Sequence, residues 1–150
     1  MKKLTTIVAA ALLLLSTSAF AKEKKGKDVI SKVKTAFARD FSKASETTWK
    51  INNGFYIAQF NYNNTVAEAA YNNDGELIGF SKRVKTTDLP LAVTLAIGQK
   101  YEGYQVAEKA DEVNFEKETS YYVNVGNGKE QLKLKCSVHG DISVDRKIKD

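Results

Sequence analysis

Cysteine, proline, histidine and tryptophan each occur once, as Cys136, Pro90, His139 and Trp49, and arginine only three times. A lone cysteine excludes an internal disulfide, so the fold must be held by its hydrophobic core. One histidine and one cysteine leave no metal-ligand cluster of recognisable spacing, and no cofactor motif accompanies them. Asp74 and Glu76 flank a turn glycine without an EF-hand pattern. There is no G-x-S-x-G, no glycine-rich phosphate loop and no H-E-x-x-H. With only Arg39, Arg83 and Arg146, the basic complement is mostly dispersed lysine, which suits a solvated surface better than a phosphate site. Nucleic acid is therefore not an expected partner. No apolar run reaches membrane-spanning length, and Ile7 to Leu15 falls well short of it.

That short run has a different meaning. Lys2 and Lys3 precede it and Ala19-Phe20-Ala21 follows it, which are the three parts of a cleaved export signal. The signal, 1–21, carries two of the 23 basic residues and none of the 18 acidic ones, so its removal lowers the formal charge from +5 to +3. The remaining 22–150 has one-domain size. Lys22 provides no cysteine for a lipid anchor. The expected location is the periplasm or the exterior. Lys22-Glu23-Lys24-Lys25-Gly26-Lys27 reads as a solvated leader.

Hydrophobic periodicity predicts a helix over Asp28–Phe41, with Val29, Val33, Phe37 and Phe41 on one stripe and Asp28 as N-cap. A second helix opens at Asp88-Leu89-Pro90, with the proline in its first turn and Leu89, Val93, Ile97 and Tyr101 as its stripe. Gly103 suits its end. Strands are expected at 48–51, 55–62, 66–72 and 76–84, then at 104–107, 113–115, 120–125, 131–137 and 141–147. Asn- and Gly-rich turns separate them, notably Asn52-Asn53-Gly54, Asn72-Asn73-Asp74-Gly75 and Gly126-Asn127-Gly128.

The two halves match. Tyr56 aligns with Tyr121, Ala69 with Leu134, Tyr71 with Cys136, Gly75 with Gly140 and Leu77 with Ile142, without a gap. The helices align at an offset of 60 and the strands at 65, so the second half carries about five extra residues between them. The expected fold is α+β: two tandem helix-plus-antiparallel-sheet repeats, about 27–85 and 86–150, sharing one curved sheet with the helices on one face.

Strand alternation assigns the faces. Tyr56, Ala58, Phe60, Ala67, Ala69, Tyr71 and Leu77 share the helix side with Tyr121, Val123, Val125, Leu132, Leu134, Cys136 and Ile142. On the opposite side the first half shows Phe55, Ile57, Gln59, Glu68, Ile78 and Phe80, and the second shows Tyr122, Asn124, Gln131, Lys133, Lys135, Ser143 and Asp145. A sheet face with exposed aromatics is a candidate recognition surface. Phe55, Ile57, Ile78 and Phe80 are its expected apolar contacts, flanked by Tyr122, Lys133 and Lys135. Trp49 reads as a core or edge anchor.

Cys136 and His139 are the one pair that could form a thiol–imidazole couple. Such catalysis needs the base in hydrogen-bond reach and a third orienting group. Cys136 instead falls in line with Leu132 and Leu134, and His139 on a turn, so a buried apolar residue and a turn residue are expected. The adjacent Asp111 and Glu112 read as solvated carboxylates. No enzyme is expected.

Trp49, Tyr56-Ile57-Ala58-Gln59-Phe60, Tyr71-Asn72-Asn73-Asp74-Gly75-Glu76-Leu77, Leu89-Pro90 and Tyr101-Glu102-Gly103-Tyr104 together resemble the small secreted PepSY-like proteins of Bacteroidetes, which are similar to the β-lactamase inhibitor protein (BLIP) fold. The resemblance implies two α/β repeats presenting one curved sheet, and a non-enzymatic binding or inhibitory role without catalytic residues. Cys136 and His139 depart from it, standing where the first half has Tyr71 and Asp74. The leading expectation is an exported module that binds another envelope or extracellular protein or peptide. The competing one is a structural or stress-related envelope protein that self-associates or carries a small hydrophobic ligand.

Overall fold

The computed structural model describes residues 28–148. The expected export signal and the expected Lys-rich leader lie outside them. The described residues form two compact units, one ending at Lys82 and the other beginning at Arg83. Among the described residues the architecture is α+β, with antiparallel strands and two α-helices.

The first unit opens with α1, Ser31–Asp40. It starts later than expected. Ile30, not Asp28, is the N-cap, and its carbonyl accepts from the N–H groups of Val33 and Lys34 at 3.1 and 3.2 Å. The strands are β1 (Ser45–Asn52), β2 (Phe55–Tyr62), β3 (Thr65–Tyr71) and β4 (Leu77–Lys85, whose last residues from Arg83 on belong to the second unit), each antiparallel to the one before. Asn63 and Asn64, with φ of 50° and 61°, close β2 onto β3, a backbone state that asparagine tolerates.

Alternation works as expected in β2 and β3. Val33, Ala36 and Phe37 of α1 pack on Tyr56, Ala58, Phe60, Ala67, Ala69 and Tyr71. Ala67 and Ala69 are fully buried and leave room for Phe37, whose ring centre lies 4.9 Å from Phe60 and 5.2 Å from Trp49. Trp49, half-buried on β1, thus anchors that strand against the core. Tyr71 ends this cluster by donating its hydroxyl to Asp40 Oδ2 at 3.0 Å. Burial, and then that hydrogen bond, push its phenol pKa upward.

In β4 the alternation slips. Ala70 pairs with Gly79 but Tyr71 with Leu77, so Ile78 is an extra, bulged residue. Beyond a one-residue slip every side chain changes face. Phe80 therefore pairs with Ala69 and stacks on Phe41, with centroids 5.4 Å apart. Its expected place on the far face is wrong. Leu77, expected in the core, is 42% exposed.

The second unit has a 3-10 turn at Thr86–Asp88, then α2 (Leu91–Lys100), β5 (Gln105–Phe115), β6 (Glu118–Gly126), β7 (Gln131–Ser137) and β8 (Ile142–Ile148). Pro90 is the N-cap of α2 rather than a first-turn residue; its carbonyl accepts from Val93 and Thr94. Val93 and Ile97 pack with Leu89 on Ala110, Tyr121, Val123, Val125, Leu132, Leu134 and Cys136. The expected strands 104–107 and 113–115 are one strand, β5. Val106 pairs with Val125 and Ala110 with Val123, so Ala107, Glu108 and Lys109 oppose Asn124 alone. Extra residues are absorbed there as an irregularity within a single strand, not as a loop. Glu116 and Lys117, with φ of 50° and 68°, close β5 onto β6. Neither residue type announces a tight turn.

In both units the turn into the last strand presses on the helix. A Cβ on Gly75 (φ 74°) would lie 3.2 Å from the Lys32 carbonyl oxygen, and one on Gly140 (φ 91°) 2.7 Å from that of Ala92. Gly128 has a similar φ of 82° but open space around it. Gly128→Ala is therefore expected to cost about 1–2 kcal/mol, the strain of left-handed backbone alone. Gly140→Ala should cost clearly more, with Gly75→Ala between them. Urea titrations of the three variants check this order.

Candidate binding face

The cross-strand register defines what each sheet shows away from its helix. In the first unit Ile57 pairs with Ala70, and Gln59 with Glu68. Ile57 is only 3% exposed and Glu68 1%, and Gln59 Nε2 donates to Glu68 Oε1 at 3.2 Å. Phe55 and Ile78 are half-buried, the latter on the bulge. With Phe80 on the helix side, this surface is not the expected aromatic patch. It is a closely covered face with a polar centre.

In the second unit the same side holds a charged cluster. Asp111 pairs with Tyr122, and Tyr122 with Lys135. Arg83 meets Asp111 Oδ1 through both Nε and Nη2 at 3.0 Å. Lys133 Nζ reaches Oδ2 of the same carboxylate at 3.4 Å and lies 5.8 Å from the Tyr122 ring centre. Asp111 and Lys133 are 5% and 2% exposed. Asp111 is thus not the solvated carboxylate expected from the sequence. Arg83, which comes from another strand, places a cation on it, and no local spacing signals that pairing. Tyr122 is buried as well, and burial followed by the charge of Asp145 raises its pKa.

Around the cluster the rim is exposed. Lys135 lies beside Tyr122, and Arg146 pairs with Lys133. Asp145 is the extra residue of a register shift, because Lys133 pairs with Arg146 but Leu134 with Val144. Next to it runs a groove of about 380 Å³, lined by Gln105, Val106, Asn124, Glu130 and Gln131 among others. Asn124 Oδ1 is buried there without a hydrogen-bond partner.

Cys136 and His139 form no built site. Cys136 is fully buried within the core, and burial pushes its thiol pKa up to about 11. His139 is exposed on the turn, where its N–H donates to Ser137 Oγ. Among the described residues no group of three or more His, Cys, Asp or Glu side chains could hold a metal ion, and no helix is long and apolar enough to cross a membrane.

This combination defines a class first: a small α+β protein with a helix on one side of antiparallel strands and ordered polar side chains on the other. Solved structures that share the fold include proteins from Bacteroides. A DUF2874 family protein from Bacteroides uniformis matches with a TM-score of 0.69 at 19% identity, over 80% of this chain and 88% of that one. A Bacteroides eggerthii protein provisionally described as periplasmic gives the same values. A BLIP-like protein from Bacteroides fragilis matches with a TM-score of 0.68 at 17% identity, over 81% and 87%. The likeness to BLIP-like proteins expected from the sequence is met at the level of fold; none of these three is described as PepSY-like. No protein-family model matches the chain, and no curated protein does.

Two outcomes follow from the geometry. Asp111→Ala leaves two cations without their carboxylate and should cost about 3–5 kcal/mol, whereas the double change Asp111→Leu with Lys133→Met should cost distinctly less; chemical denaturation of both variants measures the difference. Cys136 should resist iodoacetamide at pH 8 in the folded chain and react once unfolded. The unfolded thiol ionises near pH 9 and the folded one near 11, so the unfolded state sheds its proton first and this contribution to stability declines as pH rises through that window. Cys136→Val should flatten the decline.

Proposed function

We propose that the chain is an exported, non-enzymatic binding protein that recognises or inhibits another envelope or extracellular protein, or a peptide segment of one, through the sheet face opposite the helices. The observation that carries this is the Asp111–Arg83–Lys133 cluster under Tyr122. Burying ions is costly, and an apolar core of the same volume would serve stability as well or better. A fully partnered network has a different use: it holds Tyr122 and the neighbouring strands in one arrangement before a partner arrives. Lys135 and Arg146 at the rim supply exposed charge, and Asn124 Oδ1 supplies an unspent acceptor. Phe55 and Ile78 are the apolar contacts retained from the sequence, and Ile57, Tyr122 and Lys133 act as supports from beneath.

The BLIP-like neighbour supports an inhibitory or binding role, and the eggerthii neighbour supports a periplasmic one. Cleavage near Ala21 belongs to the same proposal. So does descent of the two units from one helix-and-four-strand repeat sharing a sheet, which the equivalent close contacts of Gly75 and Gly140 favour. The mature chain, immobilised and exposed to envelope extract, should retain a partner. Lys135→Glu combined with Arg146→Glu should weaken that retention at least about tenfold with the melting temperature unchanged, since each rim charge acts at the surface. Unchanged retention would show that the wrong face has been chosen.

A further inference from the structure

Two residues of β6 weaken the strand for no structural gain. Asn124 is the first. Its Oδ1 is buried without a hydrogen-bond partner and has almost no surface for water to reach. A buried acceptor left unpaired is destabilising, and an apolar side chain of similar shape would remove the penalty. Gly126 is the second. It stands within a strand, where glycine loses entropy and packs nothing. Its φ lies outside the left-handed region, and a Cβ there would meet only Gln131 Cγ and the Glu130 carbonyl oxygen, both at 3.4 Å. Neither backbone conformation nor crowding calls for glycine at this position.

Both residues line the groove of about 380 Å³ where β6 ends beside the starts of β5 and β7. Cross-strand pairing puts Gln105 and Gln131 on either side of Gly126, so the missing side chain leaves a gap between two carboxamides. Asn124 adds a third from two residues back on the same face. Beside it the β5–β6 register is interrupted at Ala107, which also lines the groove. The charge of the lining is carried by Lys129, exposed on the turn, and Glu130. Glu130 is committed, since its carboxylate accepts from the Tyr104 hydroxyl at 2.7 Å and pairs with Lys147 at 3.1 Å. A carboxamide has the same donor and acceptor as a peptide bond and can answer both at once. Among the described residues that line the groove none is aromatic, so a sugar ring finds no face to stack on.

We propose that this groove takes an uncharged, extended peptide segment, held through its main chain by the carboxamides of Gln105, Asn124 and Gln131, with Gly126 leaving room for it. A main-chain N–H beside a C=O draws the Asn124 side chain outward, so that its oxygen gains the donor it lacks. The inference rests on the reading of this sheet face as a binding surface, and it names the part of the partner that the groove accepts. Lys135 and Arg146 lie outside the groove lining and act on the partner's charge.

Titration of the isotope-labelled mature chain with acetyl-tetraalanine amide, followed by NMR, tests this. The Asn124 side-chain amide and the Gly126 N–H should shift together and saturate, with a dissociation constant of about 0.1–3 mM for so short a ligand. Asn124→Leu and Gly126→Val should each weaken binding at least about tenfold while the melting temperature holds or rises. The proposal is overturned if no saturable shift occurs up to about 10 mM, well above the expected constant. Binding that survives both substitutions overturns it too. So does a lowered melting temperature in Asn124→Leu, because the amide would then serve the fold. N-acetylglucosamine is the comparison probe: if it moves these resonances and the peptide does not, the groove is a saccharide site and the proposal falls. The two readings fail separately. Peptide binding lost in Asn124→Leu, with envelope capture indifferent to the rim charge reversal, upholds the groove and removes the rim. Capture that needs the rim charges, with no response to the peptide, upholds the face and removes the groove.

Discussion

The close approach of helix and hairpin turn is the constraint on which each unit depends. A Cβ on Gly140 would lie 2.7 Å from the Ala92 carbonyl oxygen, too close for any side chain, and one on Gly75 would lie 3.2 Å from that of Lys32, a tight contact. With the turn pinned there, the helix has little freedom to slide along the strands. Its apolar stripe must then meet the same residues of β2 and β3, or of β6 and β7. The small Ala67 and Ala69 are the complement of a large Phe37, and Tyr71 closes the end against Asp40. In the second unit Leu132, Leu134 and Cys136 fill that space more evenly against Val93 and Ile97.

Once the helices occupy one side, the other side is free to carry features that packing does not require. Its buried charges are such a feature. Asp111, Arg83 and Lys133 satisfy one another and hold Tyr122 in place. They make the surface ordered rather than greasy, which suits recognition by geometry and charge more than by apolar area. The outer face of α2 is the complementary case, with exposed leucines where the other helix is polar.

Much of the scaffold was legible in the residues. Alternation in Phe55–Tyr62 and Gln131–Ser137 located β2 and β7 to the residue, and the asparagine and glycine turns bounded their neighbours. Alternation failed at Ile78, because a bulge leaves no mark in the pattern of apolar and polar residues, and Phe80 was assigned to the wrong side in consequence. It failed again at Asp111, whose partners lie 28 and 22 residues away. The turn at Glu116-Lys117 was also invisible, since neither residue favours positive φ.

By itself, then, the sequence determined most of the elements, their order, the helix-facing core of most strands and the burial of Cys136. These are local properties: periodicity, turn chemistry and the absence of any second cysteine. Only the tertiary structure decided the register beyond the bulge, the pairing of Asp111 with Arg83 and Lys133, and the exposure of Leu91 and Leu95. Each depends on which strand or helix lies alongside. That is settled by the packing of the whole unit, and no window of neighbouring residues encodes it.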